Sequence, residues 1–365
     1  MKTPALMIAT VLSWTLGHTV GCKRDVAATT PKATVQTVQP ATADTGHLPK
    51  QGSMFAQKPY VTVFVEAQSV PFEVHVNGAP VTSNPGASSR ETYPVNQLLR
   101  PWGDNEISVL APPYTLPDGT SGYEDAASVT VTVLVQETGS LDKPGVPVCT
   151  LSFHGKTART PQATEGSSPV GKFDSARKLE PNDRGDVVIG PPRVQKINSA
   201  GVLLVSRTFA MPMPLPEWEF LRSDLVPLEL EGPTPAGDVL YEQLIAAYDL
   251  VWQGLKTGDV DKVLPLFEER SRNTDAAFYL FAGTTQKKLK ALLEEAVHDP
   301  SLALQPIKAD ESWVMDVCPT ARLMRLVTRP HSGAILRFED ITAPGLATTV
   351  PITFRKQGER FVIAL

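Results

Sequence analysis

The chain has 365 residues, of which 42% are hydrophobic, and 34 basic residues stand against 39 acidic ones for a net charge of −5. That length suits two folded domains of about 150 residues each. The mild acidity, with no Lys/Arg stripe, excludes nucleic acid as a partner and makes an anionic membrane surface a poor one. The 33 prolines favour turn-rich β structure over helix bundles.

The first predicted element is a leader. Met1-Lys2 precedes the apolar run "ALMIATVLSWTL", whose length of about a dozen residues is that of a signal-peptide core and too short to span a bilayer. Gly21 and Cys22 follow, then Lys23-Arg24. This arrangement resembles a bacterial lipoprotein signal, although Thr19 stands where such signals carry an aliphatic residue. The resemblance implies a signal peptide over 1–21 and acylation of Cys22 as the mature N-terminus. Several acyl chains, each worth about 0.8 kcal/mol per buried methylene, anchor a protein where one chain does not. Lys23 in place of Asp implies, by resemblance to Gram-negative lipoproteins, sorting to the outer membrane, facing the periplasm. Ordinary export with cleavage near Gly21 is the alternative.

Residues 22–57 are rich in Ala, Thr, Pro and Gln and lack periodicity. They read as a disordered tether, with a root-mean-square reach of roughly 30–40 Å.

From Tyr60 the period becomes two. Val61, Val63 and Val65 share a face; Phe72, Val74 and Val76 share another, with Glu73 and His75 opposite. Asn77-Gly78 supplies a tight hairpin turn. "NEISVLA", "SVTVTVLVQE", "VPVCTLSF" and "GVLLVSRTFA" continue the strands. The pattern predicts an all-β sandwich over 58–230. "FEVHVNGAPV" and "YPVNQLLRPWGDNEISV" resemble galactose-binding-like jelly rolls, many of which bind glycans or proteins. The proline-spaced "AMPMPLPEWEF" is expected to wrap an edge or pack over the sandwich, and 227–237 to link the domains.

Beyond Gly237 the period becomes 3.6. Leu240, Leu244, Ala247, Tyr248, Val251 and Leu255 form one stripe, with Asp238 as N-cap and Gly258 as a left-handed stop. Further helices are expected over 260–270, kinked at Pro265, then over 275–283 and 285–297. Five strand-like runs close the chain. Helices first and antiparallel strands after predict an α+β domain over 238–365. "AAYDLVWQGLKTGDVDKVLPLF" and the ending "FRKQGERFVIAL" resemble NTF2-like (cystatin-like cone) domains, whose sheet can line a pocket. Asp316, Arg325, Arg337 and Glu339 lie on its expected strands and read as surface charge.

Chemistry is sparse. HExxH, GxSxG, CxxC and GxGxxG are all absent. "GSSPVGK" at 166–172 lacks the Ser or Thr of a phosphate loop, and Phe173 follows instead. Glu295 and His298 share a helix face but lack the second such pair of a bundle metal site. Glu180, Asp183 and Asp186 lack calcium-loop spacing, and "RGD" at 184–186 is three common residues. No metal and no cofactor is expected. With Cys22 modified, Cys149 and Cys318 are an even remainder able to form a disulfide in an oxidising compartment; isolated buried thiols are the alternative. Tyr93, Trp102, Tyr114 and Tyr123 are the candidate binding surface, with edge packing as the competing role. Trp252 and Trp313 fall in core positions.

The expected function is a non-enzymatic interaction module of the envelope with a protein partner in the periplasm, one version being an immunity protein against a secreted antibacterial effector. The alternatives are a glycan- or small-ligand-binding protein, or a hydrolase with its site in the C-terminal cone.

Overall fold

A computed structural model describes residues 58–101, 104–138, 145–158, 188–196, 201–211, 213, 215–226, 235–307, 313–318, 321–328, 333–343 and 345–365. The leader, Cys22, the tether, Trp102 and the motifs at 166–172 and 180–186 lie outside them.

The N-terminal half consists of β-strands. These are β1 (Pro59–Gln68), β2 (Phe72–Val76), β3 (Ala79–Asn84), β4 (Ser89–Pro94), β5 (Asp104–Ala111), β6 (Tyr114–Thr115), β7 (Ser121–Gly122), β8 (Ser128–Glu137), β9 (Val146–His154), β10 (Val188–Lys196) and β11 (Leu203–Ala210). A single helical turn, α1 (Gly155–Ala158), follows β9. One sheet has the order β4-β1-β8-β9 and another β10-β11-β5-β2-β3; β6 and β7 form a small ribbon. The pairings described for these strands are antiparallel.

The alternation in the sequence decides which faces meet. Val61, Val63 and Val65 pair in register with Val135, Val133 and Val131. All six are buried, in one apolar cluster with Phe72, Val74, Val76, Ile107, Val109 and Phe209 of the second sheet. Two sheets therefore share one core, in the manner of a sandwich.

The two sequence turns meet in space. Asn77 and Gly78 both take left-handed backbone, at φ 51 and 75, as a two-residue hairpin requires. Asn77 Nδ2 donates to Asn105 Oδ1 at 2.8 Å and to the Leu98 carbonyl at 2.6 Å, while Asn77 Oδ1 accepts from the Glu106 amide. Asn105 Oδ1 also accepts from the Arg100 amide at 2.7 Å. These buried amides fasten the β2–β3 hairpin to the loop that leads into β5.

After β11 the described residues 211, 213 and 215–226 are neither helix nor strand apart from one 3-10 turn, Glu219–Arg222. Met211, Met213, Leu215, Trp218, Phe220 and Leu221 are buried in the first core, and Val226 in a second. The proline-spaced strap thus carries the chain from one core to the other.

The C-terminal half begins with α2 (Pro235–Lys256), α3 (Val260–Val263), α4 (Glu268–Ala277) and α5 (Thr284–His298). In α2, Leu240, Leu244, Tyr248, Val251 and Leu255 are buried, as their spacing predicts. The helix starts at Pro235, a favoured first position, so Asp238 lies in its first turn rather than at the cap. Gly258 stops it with φ 75. Pro265 falls in a 3-10 turn, Leu264–Phe267, that separates α3 from α4. The expected helix over 275–283 is displaced: α4 occupies 268–277, and Tyr279 at φ 56 turns the chain.

Eight strands follow α5 among the described residues, β12 (Leu302–Leu304), β13 (Trp313–Val317), β14 (Leu323–Thr328) and β15 (Gly333–Ala334) leading to β16 (Arg337–Asp340), β17 (Ala347–Thr349) and β18 (Phe354–Gln357), with β19 (Arg360–Ile363) last. They divide between two antiparallel sheets, β12-β16-β17 and β13-β14-β18-β19, with β15 on β14. Tyr248 ties α2 to this half: its hydroxyl donates to the Ile352 carbonyl and accepts from the Leu326 amide.

One side chain stitches the two halves at depth. Asn96 is fully buried, and its Oδ1 accepts from the Val61 amide at 2.7 Å. Its Nδ2 donates to the Pro59 carbonyl at 2.8 Å and to that of Ala277 at 2.9 Å. Ala277 is the last residue of α4, where carbonyls lack an intrahelical partner. Replacing Asn96 with Ala leaves three buried backbone groups unsatisfied, and urea denaturation is expected to show a loss of about 3 kcal/mol. A loss under about 1 kcal/mol contradicts this role.

Candidate functional site: a charged joint between the halves

Strand alternation puts Glu73 and His75 on the face of β2 opposite Val74. Sequence periodicity assigns that face to solvent or half-burial. Instead every residue of β2 is buried, because the C-terminal half covers it. The charges expected on the surface of β13 and β14 do the covering.

Asp316 and Arg325 oppose each other directly in the β13–β14 register. Arg325 Nε donates to Asp316 Oδ2 at 2.8 Å. Its Nη2 donates to Glu73 Oε1 of β2. His75 Nε2 lies 3.6 Å from the same Glu73 oxygen. One guanidinium thus bridges a carboxylate from each half, using the planar fork that Arg alone offers.

Burial alone would push the Glu73 carboxyl up, but the combined pull of His75 and Arg325 outweighs it and holds the group well below the usual carboxylate range. Burial likewise disfavours the Arg325 charge, and Glu73 and Asp316 reverse that, so the guanidinium stays protonated. The charges are stable in the interior only as a set.

Other contacts of the joint are both polar and apolar, and Ala277, Cys318, Leu323 and Ala364 of the C-terminal half are buried in the first core. Glu219 of the strap receives Arg272 Nη2 at 2.6 Å and Asn273 Nδ2 at 3.1 Å, both from α4. Asp224 accepts from the Gly358 amide at 2.6 Å, in the β18–β19 hairpin. The Val226 amide donates to the Ala321 carbonyl at 2.6 Å. Tyr60 and Phe278 meet at 5.6 Å between ring centres. Within the C-terminal half, Arg355 and Glu269 form a buried two-point pair, each bond 2.7 Å.

The cysteines do not pair. Cys149 and Cys318 are free and buried. Cys149 opposes Val133 across β8–β9 and faces the space between the two sheets. Cys318 follows β13, is buried in the same apolar cluster as Cys149, and feels the charges of Asp316, Arg325 and Glu73. Burial pushes the Cys149 thiol up to about 11 and the Cys318 thiol well above its ordinary value, so both are neutral thiols at pH 7.

Glu73, His75 and Ser108 include the residue types of a hydrolytic triad, and His75 opposes Ser108 in the β2–β5 register. His75 Nδ1 and Ser108 Oγ have no hydrogen-bond partner among the described residues. All three side chains are buried, which closes them to a substrate, and the Glu73 carboxylate is engaged by Arg325.

Among the described residues, Tyr93, Tyr114 and Tyr123 do not form an exposed shelf. Tyr123 is buried, with its hydroxyl on the Ala111 carbonyl at 2.7 Å and its ring edge-on to Phe153. Tyr114 is half-buried against it and donates to the Ser69 carbonyl at 2.9 Å. Tyr93 is half-buried, and its hydroxyl accepts from Thr82 Oγ1 at 2.8 Å. Trp102 lies outside the described residues. Trp252 and Trp313 pack against the second core. Glu295 is exposed, and His298 Nδ1 bonds the Glu294 carbonyl. Arg337 and Glu339 form a half-exposed pair at 2.9 Å. Among the described residues no group of three or more His, Cys, Asp or Glu is placed to hold a metal ion.

Compared with family models, curated proteins and solved structures, the chain matches none.

Three outcomes test the joint. Removing Arg325 as R325A strands two carboxylates and is expected to cost about 3–5 kcal/mol in urea denaturation. Glu73 is ordinarily near 4.5 and is held at about 2 in the fold. Its stabilisation is therefore complete above the ordinary value and lost as pH falls through that window. Denaturation between pH 5 and 2 is expected to steepen in the wild type and to flatten in Glu73→Gln. Thirdly, both thiols are expected to ignore a thiol reagent in the native protein and to react in denaturant without a reductant.

Proposed function

We propose that this chain is a lipid-anchored protein of the bacterial envelope, facing the periplasm from the outer membrane, that acts as a non-enzymatic protein-interaction module. The leader and Cys22 support the anchoring, by their resemblance to lipoprotein signals. No helix among the described residues is long and apolar enough to cross a membrane.

The joint is the observation that carries the interaction reading. Glu73, Asp316 and Arg325, the reactive side chains at the centre of the molecule, are committed to one another. Their effect is to hold two β-rich halves in a fixed relation. A preset composite surface loses less freedom on binding than two loosely joined domains do. Such a frame suits capture of a protein in the periplasm, and an immunity protein that intercepts a secreted antibacterial effector is one form of it. The finer fold assignments belong to the same reading. The meeting of Asn77 with Asn105 supports a galactose-binding-like jelly roll. The order of a long helix, a Gly258-Asp259 break and a short helix before the strands supports an NTF2-like cone.

The test is purification of the tagged full chain from envelope extracts after brief crosslinking. One stoichiometric protein partner is expected. R325A, which frees the halves, is expected to lower its capture more than tenfold at equal protein level. Clean isolation without a partner, together with saturable sugar binding, overturns the reading.

A further inference from the structure

The turn between α4 and α5 carries Phe281, which is 91% exposed, more than any other large apolar side chain described, with Leu280 beside it. The turn is held firmly. The buried Asp275 carboxylate accepts from the Gly283 amide at 2.7 Å, the Thr285 amide at 2.8 Å and Thr285 Oγ1 at 2.6 Å. The Leu280 amide donates to the Asp275 carbonyl at 2.9 Å. A rigid turn that presents a bare phenyl ring to water gains nothing for the fold.

Its surroundings say what meets it. Phe278 and Tyr279 pack back on the start of the described chain: Phe278 against Tyr60, and the Tyr279 ring 5.4 Å from the Lys58 ammonium. Lys58 is where the expected tether from Cys22 joins the folded body. Lys287 and Lys288, near the start of α5, are exposed. Between Asp275 and Glu294 the sequence has no carboxylate. Lys290, further along α5, is taken up by Asp261 and Glu294, whereas Lys58, Lys287 and Lys288 carry exposed positive charge near the turn in a chain of net charge −5.

We infer that this end of the molecule docks on an anionic lipid surface, with Phe281 entering the boundary between headgroups and acyl chains while Lys58, Lys287 and Lys288 face the lipid phosphates. The inference rests on the lipid-anchored reading above. It reverses, for this one end, the expectation that composition alone sets for membrane surfaces. A ring in the interface flanked by lysines is the arrangement that peripheral membrane contacts use. Docking there fixes the orientation of the two-part frame and turns its opposite end toward the periplasm.

The experiment uses the lipidated full chain with Phe281→Cys, labelled with an environment-sensitive fluorophore; Cys149 and Cys318 are buried and stay unlabelled. The control label is at Ile341→Cys, 63% exposed and close to the C-terminal end of α5, about 22 Å of helix from the tip. Vesicles of phosphatidylethanolamine with and without phosphatidylglycerol are compared. On anionic vesicles the label at 281 is expected to shift to the blue and to be quenched by spin-labelled lipid, while that at 341 stays aqueous. Lys287→Glu with Lys288→Glu is expected to return the 281 signal toward water, each lysine being worth roughly fivefold in the docked population. An aqueous 281 label on vesicles with which the protein co-floats overturns the inference and leaves the anchoring intact. A blue shift that needs added envelope protein rather than lipid also overturns it, in favour of a protein site. Failure to co-float removes the anchoring reading, and this inference with it.

Discussion

The guanidinium of Arg325, shared between Asp316 of its own half and Glu73 of the other, is the interaction on which the rest of the molecule depends. Each of these charges costs several kcal/mol to remove from water, and only the complete set recovers that cost. The arrangement therefore selects one placement of the halves more than it adds stability. Apolar contact tolerates sliding; a fork between two carboxylates does not. Once Glu73 and Arg325 are aligned, Glu219 reaches Arg272 and Asn273, Asp224 reaches the β18–β19 hairpin, and Asn96 reaches the end of α4. These contacts spread along the chain from residue 96 to residue 358, so polar bonds run across the joint beside the apolar packing of Ala277, Leu323 and Ala364.

Much of the fold is legible in the sequence because its local signals are strong. Valine alternation over β1 and β8 names the inward faces, Asn77-Gly78 names a hairpin, and the stripe from Leu240 to Leu255 names the buried side of α2. In each case the period is set by the backbone itself, 2.0 or 3.6 residues. The displaced helix shows the limit. "DAAFYLFAG" is apolar enough to read as helix, yet the Asp275 carboxylate caps the following turn instead, and Tyr279 leaves the helical region. That competition is between one side chain and the backbone eight to ten residues on, which periodicity does not weigh.

The joint was the least legible part. Period two places Glu73 and His75 opposite Val74 but says nothing of what covers them. Asp316 and Arg325 read as surface charge because strand register, and the approach of a second domain, are non-local. A signal was nonetheless present: a strand reading Phe-Glu-Val-His-Val, with charge alternating inside an apolar run, is matched by another reading Leu-Met-Arg-Leu-Val. Opposite charges embedded in two otherwise apolar strands are complementary in the way a buried pair requires. An even count of cysteines is silent in the same way on whether Cys149 and Cys318 are joined, and the structure holds both as free, buried thiols. The tyrosines were ambiguous because a phenol serves an exposed stacking surface and a buried hydrogen bond equally well.

Placing two β-rich halves in one body explains why so much polar bonding is spent inside the molecule, and it gives the chain one fixed surface to present. Calorimetric unfolding of the full chain tests this most directly, with the calorimetric enthalpy set against the van't Hoff enthalpy. The account predicts a single transition in which the two enthalpies agree, because the halves unfold together. Two resolved transitions in the wild type, each with its own enthalpy, would contradict it.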